Sequence, residues 1–185
     1  MAEHVCPWWI GYLLITPLRR FAQDPRKILS PYVRQGMTVL EPGPGMGFFT
    51  LELARLVGPS GRIVAVDIQR KMLENLKHRA SKRGLQDRID ARLAEKDSMS
   101  LSDLRRKVDF ALAFAMVHEM PAALPFFHEV AEVLKPGALL LLAEPRGHVN
   151  VAQFELELTA ASDAGLAIGE RPEIWRSHAA LLRAN

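Results

Sequence analysis

The residues best able to do chemistry lie in one stretch, Val39-Leu40-Glu41-Pro42-Gly43-Pro44-Gly45-Met46-Gly47-Phe48-Phe49-Thr50. Apolar residues lead into an acid, glycine recurs at every second position, and a helix-like run follows. Glycine has no Cβ, so it lets backbone N–H groups approach a ligand and allows turns that other residues cannot make. The spacing is G-x-G-x-G. Position 48 is Phe, so this is not the G-x-G-x-x-G pattern that seats a dinucleotide pyrophosphate on a helix N-terminus. Glu41 stands just ahead of the loop, where it would repel a pyrophosphate. A carboxylate there suits a ligand with a cationic group.

A second acid follows. Gly61-Arg62-Ile63-Val64-Ala65-Val66-Asp67-Ile68 reads as a buried parallel strand ending in Asp67. An acid about 20 residues beyond such glycines accepts hydrogen bonds from ribose hydroxyls. The plainer alternative is a tight strand-to-helix turn and a surface aspartate. A strand before the loop, a helix after it and an acid closing the next strand together favour the ligand. A third position is the strand end Phe114-Ala115-Met116-Val117-His118-Glu119-Met120-Pro121. Ligands of open α/β sheets bind beyond the carboxyl ends of strands. His118, with a side chain that titrates near neutrality, is the candidate base there. The alternatives are that His118 caps the helix starting near Pro121 or only shapes a pocket. Glu119 is structural or solvent-facing, or orients His118. Glu144 pins local backbone rather than binding metal. His148, on the loop Glu144-Pro145-Arg146-Gly147-His148, is a second and weaker candidate, with a plain loop histidine as the competing reading.

The elements that must hold these residues alternate. Strands are expected at Met37–Glu41, Arg62–Asp67, Ile89–Ala94, Val108–Phe114 and Ala138–Ala143. Helices are expected at Gly47–Val57, Gln69–Arg83, Pro121–Leu134 and Asn150–Ala164. Lys135-Pro136-Gly137 reads as a turn. Leu166–Glu170 and Ser177–Arg183 read as two final strands with no helix between them. Such alternation implies an α/β, doubly wound parallel sheet. Asp24-Pro25 opens a short helix with proline at its first position. Residues 1–30 differ in composition and are expected to form a helical cap segment on the 31–185 domain. The basic residues Arg70, Lys71, Lys77, Arg79, Lys82 and Arg83 lie mostly off the apolar face of their helix and are expected to be solvated. No aromatic residues interleave them to stack bases.

At 185 residues the chain can build one sizeable core. A net charge of +3 is too weak to argue for a nucleic-acid partner. The single Cys6 excludes an internal disulfide framework and a cysteine-rich zinc site. The longest apolar run, Trp8 to Ile15, is far short of the roughly 20 residues of a membrane span. The segment before it carries Glu3 and is not basic, unlike a signal peptide. A cytoplasmic protein without a metal site is expected.

On the glycine loop, Glu41 and Asp67, the chain resembles class I S-adenosylmethionine-dependent methyltransferases, most of all the small-molecule branch that includes quinone-biosynthesis methyltransferases. The resemblance runs from about Val39 to Pro145. It implies a Rossmann-like, seven-stranded, mostly parallel sheet with a C-terminal antiparallel hairpin, which the two final strands suit. It implies that Glu41, Gly43, Gly45 and Gly47 surround the methionine part of S-adenosyl-L-methionine. Asp67 would hold the ribose, Ile68 would pack on adenine, Asp97 and Ser98 would lie by the adenine edge, and Phe114 joins these cofactor residues. Pro42 and Pro44 are uncommon choices in this family but remove no glycine. The strand-four segment lacks the Asn/Asp-Pro-Pro-aromatic tetrad of amine methyltransferases, the acids of magnesium-dependent catechol enzymes, and a cysteine for attack on pyrimidines. One cysteine also falls short of the arsenite methyltransferase set. The implied activity is methyl transfer to a small-molecule acceptor whose nucleophilic atom stays open. The alternatives are a non-catalytic cofactor-binding module and an RNA methyltransferase. Trp8, Trp9 and Tyr12 would form a lid over the acceptor, dock on the sheet, or touch a membrane surface.

Overall fold

The computed structural model of the chain describes residues 23–95 and 98–185. By its internal contacts the chain divides into two compact units, one ending at Met99 and the other running from Ser100 to Asn185.

In the first unit, helix α1 (Pro25–Leu29) starts as its sequence demands: the Asp24 side chain accepts a hydrogen bond from the Arg26 N–H at 2.9 Å, and Pro25 occupies the first turn. Strands β1 (Thr38–Pro42), β2 (Arg62–Asp67) and β3 (Ile89–Leu93) lie in the order β3-β2-β1, all parallel. The near-continuous apolar runs of β1 and β2 are covered on both faces, as parallel strands require. Helix α2 (Thr50–Leu56) begins three residues later than the sequence suggests. Gly45 and Gly47 have φ of +54° and +84°, which an α-helix cannot contain. Helix α3 (Arg70–Ser81) buries Met72, Leu73, Leu76 and Ala80, the expected stripe.

In the second unit, β4 (Val108–Phe114) and β5 (Leu134–Pro145) pair in parallel. β5 pairs antiparallel with β7 (Ser177–Ala184), which pairs antiparallel with β6 (Leu166–Ile168). The order is β4-β5-β7-β6, so the two final strands do lie together as an antiparallel pair. β5 starts earlier than expected. Lys135-Pro136-Gly137 does not end the pairing but bulges out between the pairs Val108–Leu134 and Phe110–Leu139, with Gly137 at φ +77°. β6 is shorter than expected and stops before Gly169. Helices α4 (Ala123–Val133) and α5 (Val151–Asp163) complete the unit. Asn150 and Gln153 close a reciprocal capping box at the start of α5. Phe110, Leu112, Phe127 and Leu140 to Leu142 are almost fully buried, each contributing about 1.5–3 kcal/mol by area. Among the described residues, no helix is long and apolar enough to cross a membrane.

Candidate functional site

The glycine loop leaves the carboxyl end of β1. Gly43, at φ +65°, turns the chain, and its N–H donates to the Val66 carbonyl of β2 at 2.8 Å. The Gly47 N–H donates to the Pro44 carbonyl at 2.9 Å. The two later glycines serve different ends. A Cβ on Gly47 would overlap Leu76 Cδ1 of α3, so that glycine permits close packing. A Cβ on Gly45 would meet nothing within 4 Å among the described residues, which leave open space over the loop there. Arg79 of α3 donates from Nη1 to the Met46 carbonyl and ties the loop down. The expectation that the basic residues of this helix are solvated fails at Arg79, which lies between the buried Leu76 and Ala80 and turns inward. Burial, then the charge of Arg83, lowers its pKa.

Glu41 is 3% exposed, and its Oε2 is buried without a hydrogen bond among the described residues, as is Thr50 Oγ1. Burial pushes its carboxyl up to about 8. The nearby Thr50 hydroxyl opposes this without a well-formed hydrogen bond to Oε2, and the charge of Asp67 adds to the rise. Asp67, buried at the end of β2, accepts from the Gln69 N–H at 2.8 Å where α3 begins. Ile68, the next residue, is 52% exposed. The partly buried Ser98 accepts from the Glu95 N–H through its carbonyl at 2.9 Å. Asp97 lies outside the described residues, as do Trp8, Trp9 and Tyr12. A buried carboxyl whose Oε2 has no hydrogen bond among the described residues, open room over Gly45, an acid ending β2 and an exposed apolar side chain beside it fit a nucleoside ligand with a cationic end.

In the second unit, β4 ends at the partly buried Phe114, paired in register with Ala143 of β5. Ala115 then takes φ +57°, a conformation that costs a non-glycine residue about 1–2 kcal/mol, and its N–H donates to the Ala143 carbonyl at 2.7 Å. What holds the turn is Glu144 of β5, which is completely buried. Its Oε1 accepts from the Met116 and Val117 N–H groups at 3.1 and 2.9 Å. Its Oε2 meets His118 Nδ1. Glu144 thus pins backbone, as the sequence suggests, and also holds the imidazole, a role the sequence reading offered to Glu119. With Nδ1 committed to a carboxylate, the neutral ring leaves Nε2 as its acceptor. The Glu144 hydrogen bond raises the His118 pKa. Burial opposes the rise, while the charges of Glu144, Glu119 and Glu157 add to it. His118 does not cap α4, whose N-cap is Ala122 with no side-chain bond. The exposed His148 sets its ring at 77° to His118, centroids 5.5 Å apart. The Glu144–His118 pairing was hidden in sequence because 26 residues separate the two. Their shared position, just past one strand and at the end of its neighbour, was the available signal.

A family model described as a methyltransferase domain matches residues 34–177. The chain belongs to this family. It is 34% identical over 113 residues to the ubiquinone/menaquinone biosynthesis C-methyltransferase UbiE of Hahella chejuensis, a match covering 60% of this chain and 44% of that protein. The UbiE protein of Pseudomonas putida matches at 33% over 60% of this chain and 43% of its own length. The chain therefore spans less than half the length of these curated relatives. A crystal structure of a SAM-dependent methyltransferase from Aquifex aeolicus superposes with a TM-score of 0.87 at 26% identity, covering 98% of this chain and all of that one. The fold is accordingly the mostly parallel, seven-stranded Rossmann-like sheet of class I S-adenosylmethionine-dependent methyltransferases, with β5-β7-β6 as its antiparallel edge.

Proposed function

We propose that this chain transfers a methyl group from S-adenosylmethionine to a small, partly apolar acceptor, with His118 as the base. The observation that carries the cofactor reading is Glu41, a buried carboxyl without a hydrogen bond on Oε2, beside a glycine loop that borders open space. When bound, S-adenosylmethionine supplies an electrophilic methyl carbon on a cationic sulfur. Glu41 offers its carboxylate to the cationic methionine end, and Gly43, Gly45 and Gly47 bring backbone within reach of it. Asp67 accepts from the ribose hydroxyls, Ile68 covers one face of the adenine, and Asp97, Ser98 and Phe114 border the same ligand.

His118 Nε2 would take the proton that the acceptor loses on methylation, the methyl carbon–sulfur bond breaking as the acceptor–carbon bond forms and S-adenosylhomocysteine leaving. Glu144 fixes the tautomer that leaves Nε2 free and stabilises the imidazolium that results. His148, Trp8, Trp9 and Tyr12 contact the acceptor. The single cysteine of the chain supports a cytoplasmic setting. A net charge of +3 supports a small acceptor over RNA; binding to RNA that weakens steeply with salt would reverse that choice.

The test uses the full chain and a panel of hydroxyl, thiol and phenol acceptors. His118→Ala is expected to lower turnover by about 100-fold or more while leaving S-adenosylhomocysteine affinity nearly unchanged. Activity of the parent rises with pH as the raised His118 loses its proton, and the variant loses that acidic limb. Full activity in the variant removes His118 from the mechanism.

A further inference from the structure

Beyond the carboxyl end of β5 a cleft of about 160 Å³ opens between the first turns of α5, the start of β7 and the loop that precedes it. Arg146, Phe154, Arg171, Glu173 and His178 are among its walls. The register places it beside the His118 turn. Glu144, which holds His118, pairs with His178 across β5 and β7, and Pro145 pairs with Ser177. Residues opposite one another in an antiparallel pair share a face of the sheet, so His178 stands on the face from which Glu144 reaches His118. His148, whose ring meets His118, is two residues beyond Arg146.

Two features give the cleft a chemical preference. One is an aromatic wall: His178 stacks on the buried Phe154, with ring centroids 5.5 Å apart and planes at 28°. The other is Arg146. Its backbone N–H donates to the Arg176 carbonyl at 2.9 Å and its Nε to the Ser177 carbonyl at 3.1 Å. The side chain is thus anchored where β7 begins, while Nη1 and Nη2 bond no group among the described residues. Those two nitrogens form the end of a guanidinium that grips a carboxylate through two parallel hydrogen bonds. The other cation of the cleft is already spent, since Arg171 holds Glu155 at 2.5 and 3.0 Å. Glu173 stands on the same rim without an ion pair among the described residues. Its charge opposes a second negative charge on a ligand that Arg146 holds.

We propose that this cleft binds the carboxylate of the methyl acceptor, so that the acceptor is an aromatic acid with its nucleophilic atom at His118 and its acid group on Arg146. β4, β5 and β7 are successive neighbours in the sheet, so the two ends of the acceptor lie two strand spacings apart, on the order of 10 Å. A phenol bearing a three-carbon acid chain para to its hydroxyl has this reach. On transfer the phenol oxygen bonds to the methyl carbon, the carbon–sulfur bond breaks, His118 takes the phenol proton and the carboxylate is unchanged.

Methylation of the bound acid rests on the proposed function; binding of the acid in the cleft does not. The test uses the full chain saturated with S-adenosylhomocysteine. The probes are para-hydroxyphenylpropanoate, its amide and the phosphonate of equal length, followed by calorimetry and by the ring resonances of histidine-labelled protein. The parent is expected to bind the carboxylate about tenfold more tightly than the amide or the phosphonate, with the His178 signals moving. Arg146→Gln should remove the preference for the acid over the amide, and Arg146→Lys should keep part of it. Glu173→Gln should narrow the lead of the carboxylate over the phosphonate. Equal binding of acid and amide by the parent, an unmoved His178, or an Arg146→Gln loss that is the same for both probes overturns the proposal. Methyl transfer from S-adenosylmethionine separates the two readings. A fall of about tenfold in kcat/KM for the acid but not the amide in Arg146→Gln supports both. Arg146-dependent binding without any transfer supports the carboxylate site and contradicts the proposed function. Transfer to acid and amide alike, unaltered in Arg146→Gln, overturns the site and leaves the proposed function in place.

Discussion

Glu41 stands one strand away from a second acid, Asp67, and both are buried. Burial, with the charge of Asp67 as a smaller addition, holds the Glu41 carboxyl protonated up to about 8. A ligand with a positive charge favours the ionised form. Binding below pH 8 should then expel a proton, and affinity should rise as the pH approaches 8. Calorimetry of S-adenosylmethionine binding in buffers of different ionisation enthalpy measures that release. Glu41→Gln should abolish it and weaken binding about tenfold at pH 8. Equal proton release by parent and variant would assign it to another group. The charge demanded of the ligand was legible in sequence, from one acid ahead of glycines. The protonated state of Glu41 was not, because it comes from burial and from a register that only pairing of β1 with β2 creates. Arg79 shows the same limit: one cation of a basic helix turns inward to the Met46 carbonyl, and composition cannot say which.

The loop between β1 and α2 divides its work among its glycines, and the division is testable. Gly47→Ala places a methyl group on Leu76 Cδ1, so that this completely buried side chain must shift, at φ +84°. Gly45→Ala meets no neighbour among the described residues and suffers the backbone cost of φ +54°, about 1–2 kcal/mol. Thermal unfolding should therefore show the larger loss for Gly47→Ala. Calorimetry should show weakened cofactor binding in Gly45→Ala beyond what its smaller loss of stability explains. The reverse order would mean that the ligand does not approach Gly45. Most strands and helices were legible from alternating apolar runs and from caps such as Asn150. Two departures have backbone causes. Left-handed glycines delay α2, and a bulge at Lys135-Pro136-Gly137 lets β5 begin before the apparent turn. The Glu144–His118 contact depends on neighbouring strands ending together, which no local pattern encodes.

Among the described residues, Glu41, Glu157 and His118 make stability depend on pH in the same direction. Glu41 and Glu157 move from an ordinary 4.5 to about 8 on folding, so between these values the folded protein binds more protons than the unfolded chain. Stability therefore falls as pH rises from 4.5 to 8. The raised His118 adds to this: its pairing with Glu144 stabilises fully below the unfolded value of 6.5 and is lost as pH rises through the folded one. The ligand-free protein should melt at a lower temperature at pH 8 than at pH 5. Glu41→Gln and Glu157→Gln should each flatten the trend, and a melting temperature that rises from pH 5 to pH 8 would contradict the burial of these groups. The family and the fold class were legible at this scale because the glycine loop and Asp67 close consecutive parallel strands. Acceptor choice was less so, since Trp8, Trp9 and Tyr12 lie outside the described residues. The central claim is that the loop and Asp67 form the S-adenosylmethionine site. Titration calorimetry of S-adenosylhomocysteine and NAD against the parent, Gly45→Val and Asp67→Ala tests it most directly. The parent should bind S-adenosylhomocysteine but not NAD, and each folded variant should lose about tenfold or more in affinity. Unchanged affinity in both variants, or tighter binding of NAD than of S-adenosylhomocysteine, would contradict it.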